Sequence, residues 1–207
     1  MSRSARFWDR FALRYSKMPI ADEATYHKKL EVTREYLQPD MKVLEFGCGT
    51  GGTAVAHARS VGHIRAIDVS PKMIEIACGK AEADGVANVE FEVASIDDLS
   101  VSDQSLDAVL GLNILHLLDD WEDVIVRVHR MLRPGGIFIT STICLRESMR
   151  LLGLIAPIGS FLGLMPRLKS FSSRELEGHL TAVGFEIEHQ WQPGQNKALF
   201  IVARRSE

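Results

Sequence analysis

The stretch Val43-Leu44-Glu45-Phe46-Gly47-Cys48-Gly49-Thr50-Gly51-Gly52 decides how this chain is read: an apolar run passes straight into a turn with four glycines in six positions. The spacing predicts a buried strand over Lys42 to Phe46 and a helix from about Thr53 to Arg59. Glycine lets the backbone approach a ligand with no Cβ between them, and a helix N-terminus offers N–H groups that lack intrahelical partners. Gly47, Gly49 and Gly52 satisfy G-x-G-x-x-G, the spacing of a dinucleotide-binding turn. Glu45 argues against a pyrophosphate, which its carboxylate would repel, and in favour of a ligand carrying an ammonium group. Asp68 stands 21 positions after Gly47, close to the offset at which an acidic residue accepts ribose hydroxyls.

Working outward, short apolar runs alternate with helical patterns, which predicts an α/β domain. Helices are expected over Ala5 to Tyr15, Ala24 to Leu37, Pro71 to Ala83, Trp121 to Leu132 and Ser172 to Val183. Ser70 before Pro71 suits a helix start, and Gly184 suits a helix stop. Strands are expected at Ile64 to Ile67, Val89 to Val93, Leu106 to Leu110 and Ile137 to Thr142, with Arg133 to Gly136 read as the turn into the last of these. FEIEHQW and ALFIVARR, around Pro193-Gly194, read as a β-hairpin. Between strand five and the last helix lies an apolar insertion over residues 143–170, longer than an ordinary α/β connection.

Composition narrows the class. The 207 residues are 46% hydrophobic and 25% charged, ordinary globular usage with no repeat or low-complexity tract. Lys plus Arg 24 against Asp plus Glu 27 leaves a net charge of −3, which offers no whole-chain footprint for nucleic acid. Cys48, Cys78 and Cys144 form no CxxC pair, so neither a disulfide framework nor a zinc site is expected, and a cytoplasmic setting fits best. The first residues lack the apolar core of a signal peptide. Leu151 to Met165 is nearly all apolar yet too short to span a bilayer.

The segments VLEFGCGTG, AIDVSPKMIEIA, NVEFEVASIDDL, LDAVLGLNILHLLDD and LRPGGIFITST together resemble the ordered motifs of class I S-adenosylmethionine-dependent methyltransferases, small-molecule type. The resemblance runs from about Lys42 to Thr142 and includes the final hairpin. It implies a Rossmann-like, seven-stranded, mostly parallel sheet with helices on both faces, six strands parallel and the last inserted antiparallel. It implies S-adenosyl-L-methionine as cofactor, its methionine part faced by Glu45, Gly47, Cys48 and Gly49 and its ribose held by Asp68. Val69 and Met73 would lie against the adenine. The family often has Asp where Ser95 stands, so that contact is expected from Ser95, from the backbone of Ile96 or from Asp97. Asn113 would border the sulfonium.

A sulfonium carries an activated methyl group, so neither a triad nor a metal is required, and none is visible in the sequence. A general base helps where the acceptor starts protonated, and His116 stands where the resemblance puts active-site side chains. Its alternative is a solvent-facing residue at a helix start; His27, His57, His63, His129, His179 and His189 are expected at the surface. Phe7, Trp8, Phe11 and Tyr15 form a stripe on the first helix, and residues 1–40 are read as a helical lid in which Trp8, Tyr15 and Tyr26 face the ligand. Residues 41–142 form the cofactor-binding core, and residues 171–207 complete it. The insertion carries Leu154, Ile158 and Phe161 between basic flanks: it is a packed helix, a cap over an apolar acceptor, or a site of peripheral membrane contact. The expectation is a methyltransferase acting on a small apolar or amphipathic molecule, with no nucleic-acid partner and no oligomeric state implied. The alternatives are an NAD-dependent oxidoreductase and a non-catalytic cofactor-binding or regulatory module of the same fold.

Overall fold

The computed structural model describes residues 2–148, 168–194 and 196–207. One seven-stranded sheet is present, its strands in the order Val89–Val93, His63–Asp68, Lys42–Phe46, Leu106–Leu112, Leu132–Thr142, Leu199–Arg205 and Phe185–Trp191. The chain divides into two compact units, residues 1–100 and 101–207.

The first unit contains α1 (Arg3–Ser16), α2 (Glu23–Tyr36), β1 (Lys42–Phe46), α3 (Gly52–His57), β2 (His63–Asp68), α4 (Pro71–Ala83) and β3 (Val89–Val93). Its strands are parallel, with Phe46 opposite Ile67 and Asp68 opposite Val93, so the ends of β1 and β2 lie side by side. Parallel strands are covered on both faces, which is why apolar residues stand at adjacent as well as alternate positions of β1; Val43, Leu44, Phe46, Ile64 and Ile67 are all buried. The helix starts are written locally. Ser70 accepts from the Met73 N–H at 3.2 Å, with Pro71 in the first turn of α4, and Asp22 accepts from Thr25 at the start of α2.

The second unit contains β4 (Leu106–Leu112), α5 (Trp121–Met131), β5 (Leu132–Thr142), α6 (Leu145–Ser148), α7 (Ser173–Val183), β6 (Phe185–Trp191) and β7 (Leu199–Arg205). β4 and β5 are parallel, while β7 runs antiparallel to both β5 and β6, the arrangement expected of the terminal hairpin. Ser172 and Glu175 form a reciprocal capping box at the start of α7, and Gly184 ends it at φ 105°. One boundary differs from expectation. β5 begins at Leu132, and Arg133 to Gly136 is not a turn ahead of it but part of an irregular segment within the pairing: Leu106 faces Leu132, yet Ala108 already faces Ile137. Gly135 at φ 75° carries that irregularity, the role glycine takes in a bulge.

Candidate cofactor and acceptor site

In the first unit the glycine turn and the end of β2 are tied to each other. Cys48 N–H donates to the Ile67 carbonyl at 3.0 Å, and Gly49 N–H donates to Asp68 Oδ2 at 3.0 Å. The other Asp68 oxygen accepts from Ser70 N–H at 2.9 Å. Asp68 is buried, and its carboxyl is pushed upward in pKa mainly by that burial, against the backbone donors of Ser70, Gly49 and Val69, which favour the ionised form. Gly47, Gly49 and Gly51 all have positive φ. At Gly51 the requirement is double: φ is 73°, and a Cβ there would sit 2.7 Å from Ala77 Cβ and 2.9 Å from the Phe91 ring. The third demanding glycine is therefore Gly51 and not Gly52, the position the dinucleotide spacing singles out.

Glu45 is the anomaly of β1. It is only 3% exposed, and its Oε2 has no hydrogen-bond partner among the described residues. Burial raises its pKa to about 8. An orphaned buried carboxylate oxygen beside a glycine turn calls for a donor that the chain itself does not supply, and an ammonium group fits it. Burial also raises the Cys48 thiol far above its ordinary value, so Cys48 is an inert, buried wall of the turn.

Two tyrosines from the leading helices enter the same constellation. Tyr26 on α2 hydrogen-bonds Thr53, and its hydroxyl is raised in pKa by burial and by the charge of Glu45. Tyr15 on α1 is raised by burial and by the charge of Asp68. Trp8 packs edge-on against Phe11 and Tyr15, so the aromatic stripe coheres as a single surface. Met73 is buried and Val69 half-buried beside Asp68 in the chain, while Ile96 is buried. The Ser95 hydroxyl is already engaged, donating to Asp97 at 3.1 Å and accepting from the Asp97 N–H, a local turn that occupies the side chain.

The second unit places Asn113 at the end of β4 with φ 57°, its N–H donating to the Ser141 carbonyl at 2.6 Å and its side chain accepting from the Ser141 hydroxyl. His116 follows in a short 3-10 turn, Leu115–Leu117. It is buried, not solvent-facing, and its Nδ1 lies 3.0 Å from the Thr142 hydroxyl. Burial lowers its pKa to about 4, so the ring is neutral near pH 7. The backbone on the far side of the insertion returns to this point: Lys169 N–H donates to the His116 carbonyl at 2.8 Å, and Arg146 N–H to the Phe171 carbonyl. Leu154, Ile158 and Phe161 lie outside the described residues.

His57 departs from its expected surface position. It is fully buried on α3, neither ring nitrogen has a hydrogen-bond partner among the described residues, and burial with the nearby Arg34 lowers its pKa to about 4. Asp9, Thr53 and Thr142 are the residues that sequence reasoning missed. Each is a short polar side chain whose importance comes from a partner distant in the chain. Among the described residues no group of three or more His, Cys, Asp or Glu side chains is placed to hold a metal.

Against this geometry the comparisons with known proteins agree. A methyltransferase-domain family matches residues 43–136. The ubiquinone biosynthesis O-methyltransferase of Rhizobium leguminosarum bv. trifolii is 31% identical over 152 residues, 71% of this chain and 60% of that protein. The chain thus spans less than two thirds of the length of this curated relative. The YcgJ protein of Bacillus subtilis superposes with a TM-score of 0.73 at 19% identity over 87% of this chain and 99% of that one. A Haemonchus contortus phosphoethanolamine N-methyltransferase, solved with S-adenosylhomocysteine, does so with a TM-score of 0.73 at 15% identity over 88% and 53%. Residues 43–136 form a methyltransferase domain, and the seven-stranded sheet is the fold of the class I S-adenosylmethionine-dependent methyltransferases. S-adenosyl-L-methionine is the cofactor of that class.

Proposed function

We propose that the protein transfers a methyl group to a hydroxyl of a small apolar or amphipathic acceptor. The observation that carries the reading is Glu45: a buried carboxylate with an unpartnered oxygen beside a turn of positive-φ glycines suits an amino-acid ammonium and opposes a dinucleotide pyrophosphate. When bound, the cofactor supplies a methyl group already activated on a sulfonium. The chain's own residues bind, orient and protect. Glu45 and the Gly47–Gly49 turn hold the amino-acid end, Asp68 accepts from the ribose hydroxyls beside its backbone donors, each oxygen having a further lone pair, and Met73, Val69 and Ile96 line the adenine side. Tyr15, Tyr26 and Trp8 cover the ligand and exclude water, the condition under which alignment contributes most. His116, held through Nδ1 and neutral near pH 7, has a lone pair to accept the acceptor's proton.

Hydroxyl acceptors are favoured because a curated relative bears the name of an O-methyltransferase of ubiquinone biosynthesis. A cytoplasmic setting is favoured by the free state of Cys48, Cys78 and Cys144. Among the described residues no helix is long and apolar enough to cross a membrane. Calorimetric titration with S-adenosylmethionine, S-adenosylhomocysteine and NAD tests the cofactor half, and Asp68→Ala is expected to weaken the first two by roughly 10- to 100-fold, the worth of hydrogen bonds to a charged group. Preferential NAD binding overturns the reading. Turnover on a panel of phenolic and aliphatic alcohols tests the acceptor half and separates an enzyme from a binding module.

A further inference from the structure

Helix α1 carries five cations on one face. Arg3, Arg6, Arg10, Arg14 and the C-cap residue Lys17 recur at intervals of three and four residues, which places them within roughly 80° of arc and along about 21 Å of helix. All five are exposed, and none has a carboxylate partner among the described residues; Arg14 lies over the Phe11 ring at 5.8 Å. The single acid of the helix, Asp9, is engaged elsewhere by the Ser70 hydroxyl and the Lys72 N–H.

This pattern works against the helix that bears it. Arg6, Arg10 and Arg14 are like charges four residues apart, a repulsive arrangement. Arg3 and Arg6 open the helix where its dipole favours acids, and the first turn contains none. A chain of net charge −3 therefore concentrates uncompensated positive charge on one helix at a cost to local stability, the kind of conflict that marks a functional surface. Exposed apolar side chains stand in the last turn of α1 and just beyond its end. Leu13 is 65% exposed, Met18 53% and Ile20 48%, three of the six large exposed hydrophobics among the described residues.

We propose that α1 is the docking surface of the protein for an anionic lipid bilayer. Cations along a helix meet headgroup phosphates, and the neighbouring Leu13, Met18 and Ile20 enter the boundary beneath them. Nucleic acid would use the cations and leave those apolar side chains in water, so the lipid surface is the better match. Docking depends on the charge of α1 and not on methyl transfer, and it is read without turnover.

The test is co-sedimentation of the full chain with phosphatidylcholine vesicles with and without phosphatidylglycerol. Binding is expected only to the phosphatidylglycerol vesicles and is expected to fall steeply as sodium chloride rises. The triple variant Arg3→Gln, Arg6→Gln, Arg10→Gln should lower partitioning on the order of 100-fold with unchanged S-adenosylmethionine affinity, and Arg3→Lys, Arg6→Lys, Arg10→Lys should keep it. Leu13→Ser, Met18→Ser, Ile20→Ser should weaken binding while preserving its salt dependence. Equal binding to neutral vesicles, full binding by the glutamine variant, or displacement of the vesicles by single-stranded DNA overturns the proposal.

Discussion

The carboxylate of Asp9 on α1 accepts a 2.6 Å hydrogen bond from the hydroxyl of Ser70, the N-cap of α4. The same oxygen takes the Lys72 N–H at 3.1 Å, so a residue 61 positions upstream of Ser70 supplies part of the cap of α4. Ser70 in turn donates its N–H to Asp68. The leading helix is thereby fastened to the loop that carries the acidic residue assigned to the ribose.

Asp9→Ala is expected to loosen α1 by about 1.5–3 kcal/mol, the range for hydrogen bonds to a charged group. Limited proteolysis should then cut within residues 1–20 faster, and cofactor affinity should drop, while Asp9→Asn keeps both acceptor bonds and stays near wild type. Unchanged protease resistance in the alanine variant would mean that aromatic packing alone holds the helix.

Glu45 has its pKa raised to about 8 by burial, so without ligand it is mostly protonated at pH 7. A bound ammonium favours the ionised carboxylate and lowers that pKa, which means binding expels a proton and affinity rises with pH until about 8. Calorimetry in buffers of different ionisation enthalpy should show release of close to one proton per site at pH 7. Glu45→Gln should abolish the release.

His116→Ala should lower kcat by about 10² to 10⁴ with little change in cofactor affinity. Because burial holds the ring pKa at about 4, the base form persists throughout the neutral range, and an acid limb in the rate is expected only as pH falls toward that value. Thr142→Val removes the group beside Nδ1 and should reduce kcat, with Thr142→Ser restoring it.

Gly51→Ala should destabilise the protein by about 2–4 kcal/mol, from a left-handed backbone and an overpacked Cβ together. Gly79→Ala on α4 is the contrast, since a Cβ there meets nothing within 4 Å and helix propensity favours alanine by up to about 1 kcal/mol. Urea melts of the two variants should move in opposite directions.

His57, with a folded pKa of about 4 against an ordinary 6.5, is held neutral by the fold. The unfolded chain takes up its proton first as pH falls, so the stability of the neutral form is intact above about 6.5, declines between 6.5 and 4, and levels below. His57→Leu should flatten that decline in thermal melts, leaving the share contributed by His116.

The readable parts of the fold were those with local causes. Strand β1 and its glycine turn announced themselves because a buried parallel strand is apolar throughout and a ligand-facing turn needs residues without a Cβ. The starts of α4 and α7 were legible because Ser70 and Ser172 cap within three residues of themselves. Glu45 stood out for the same reason, as a charge in an apolar run.

Where the cause lies far along the chain, the sequence alone was silent. Gly51 is required at its position by Ala77 and Phe91, which arrive from α4 and β3. β5 starts at Leu132 because pairing with Leu106 extends it past Pro134, against the local turn signal. His57 read as a surface residue and His116 as a general base whose alternative was a solvent-facing position, yet for both it is burial that sets the protonation. The latch of Asp9 to Ser70 leaves no trace in spacing. Backbone preference and hydrophobic period act over a few residues and so can be read directly, whereas burial, electrostatics and steric contact depend on which distant segments the fold brings together, and only the tertiary structure decides them.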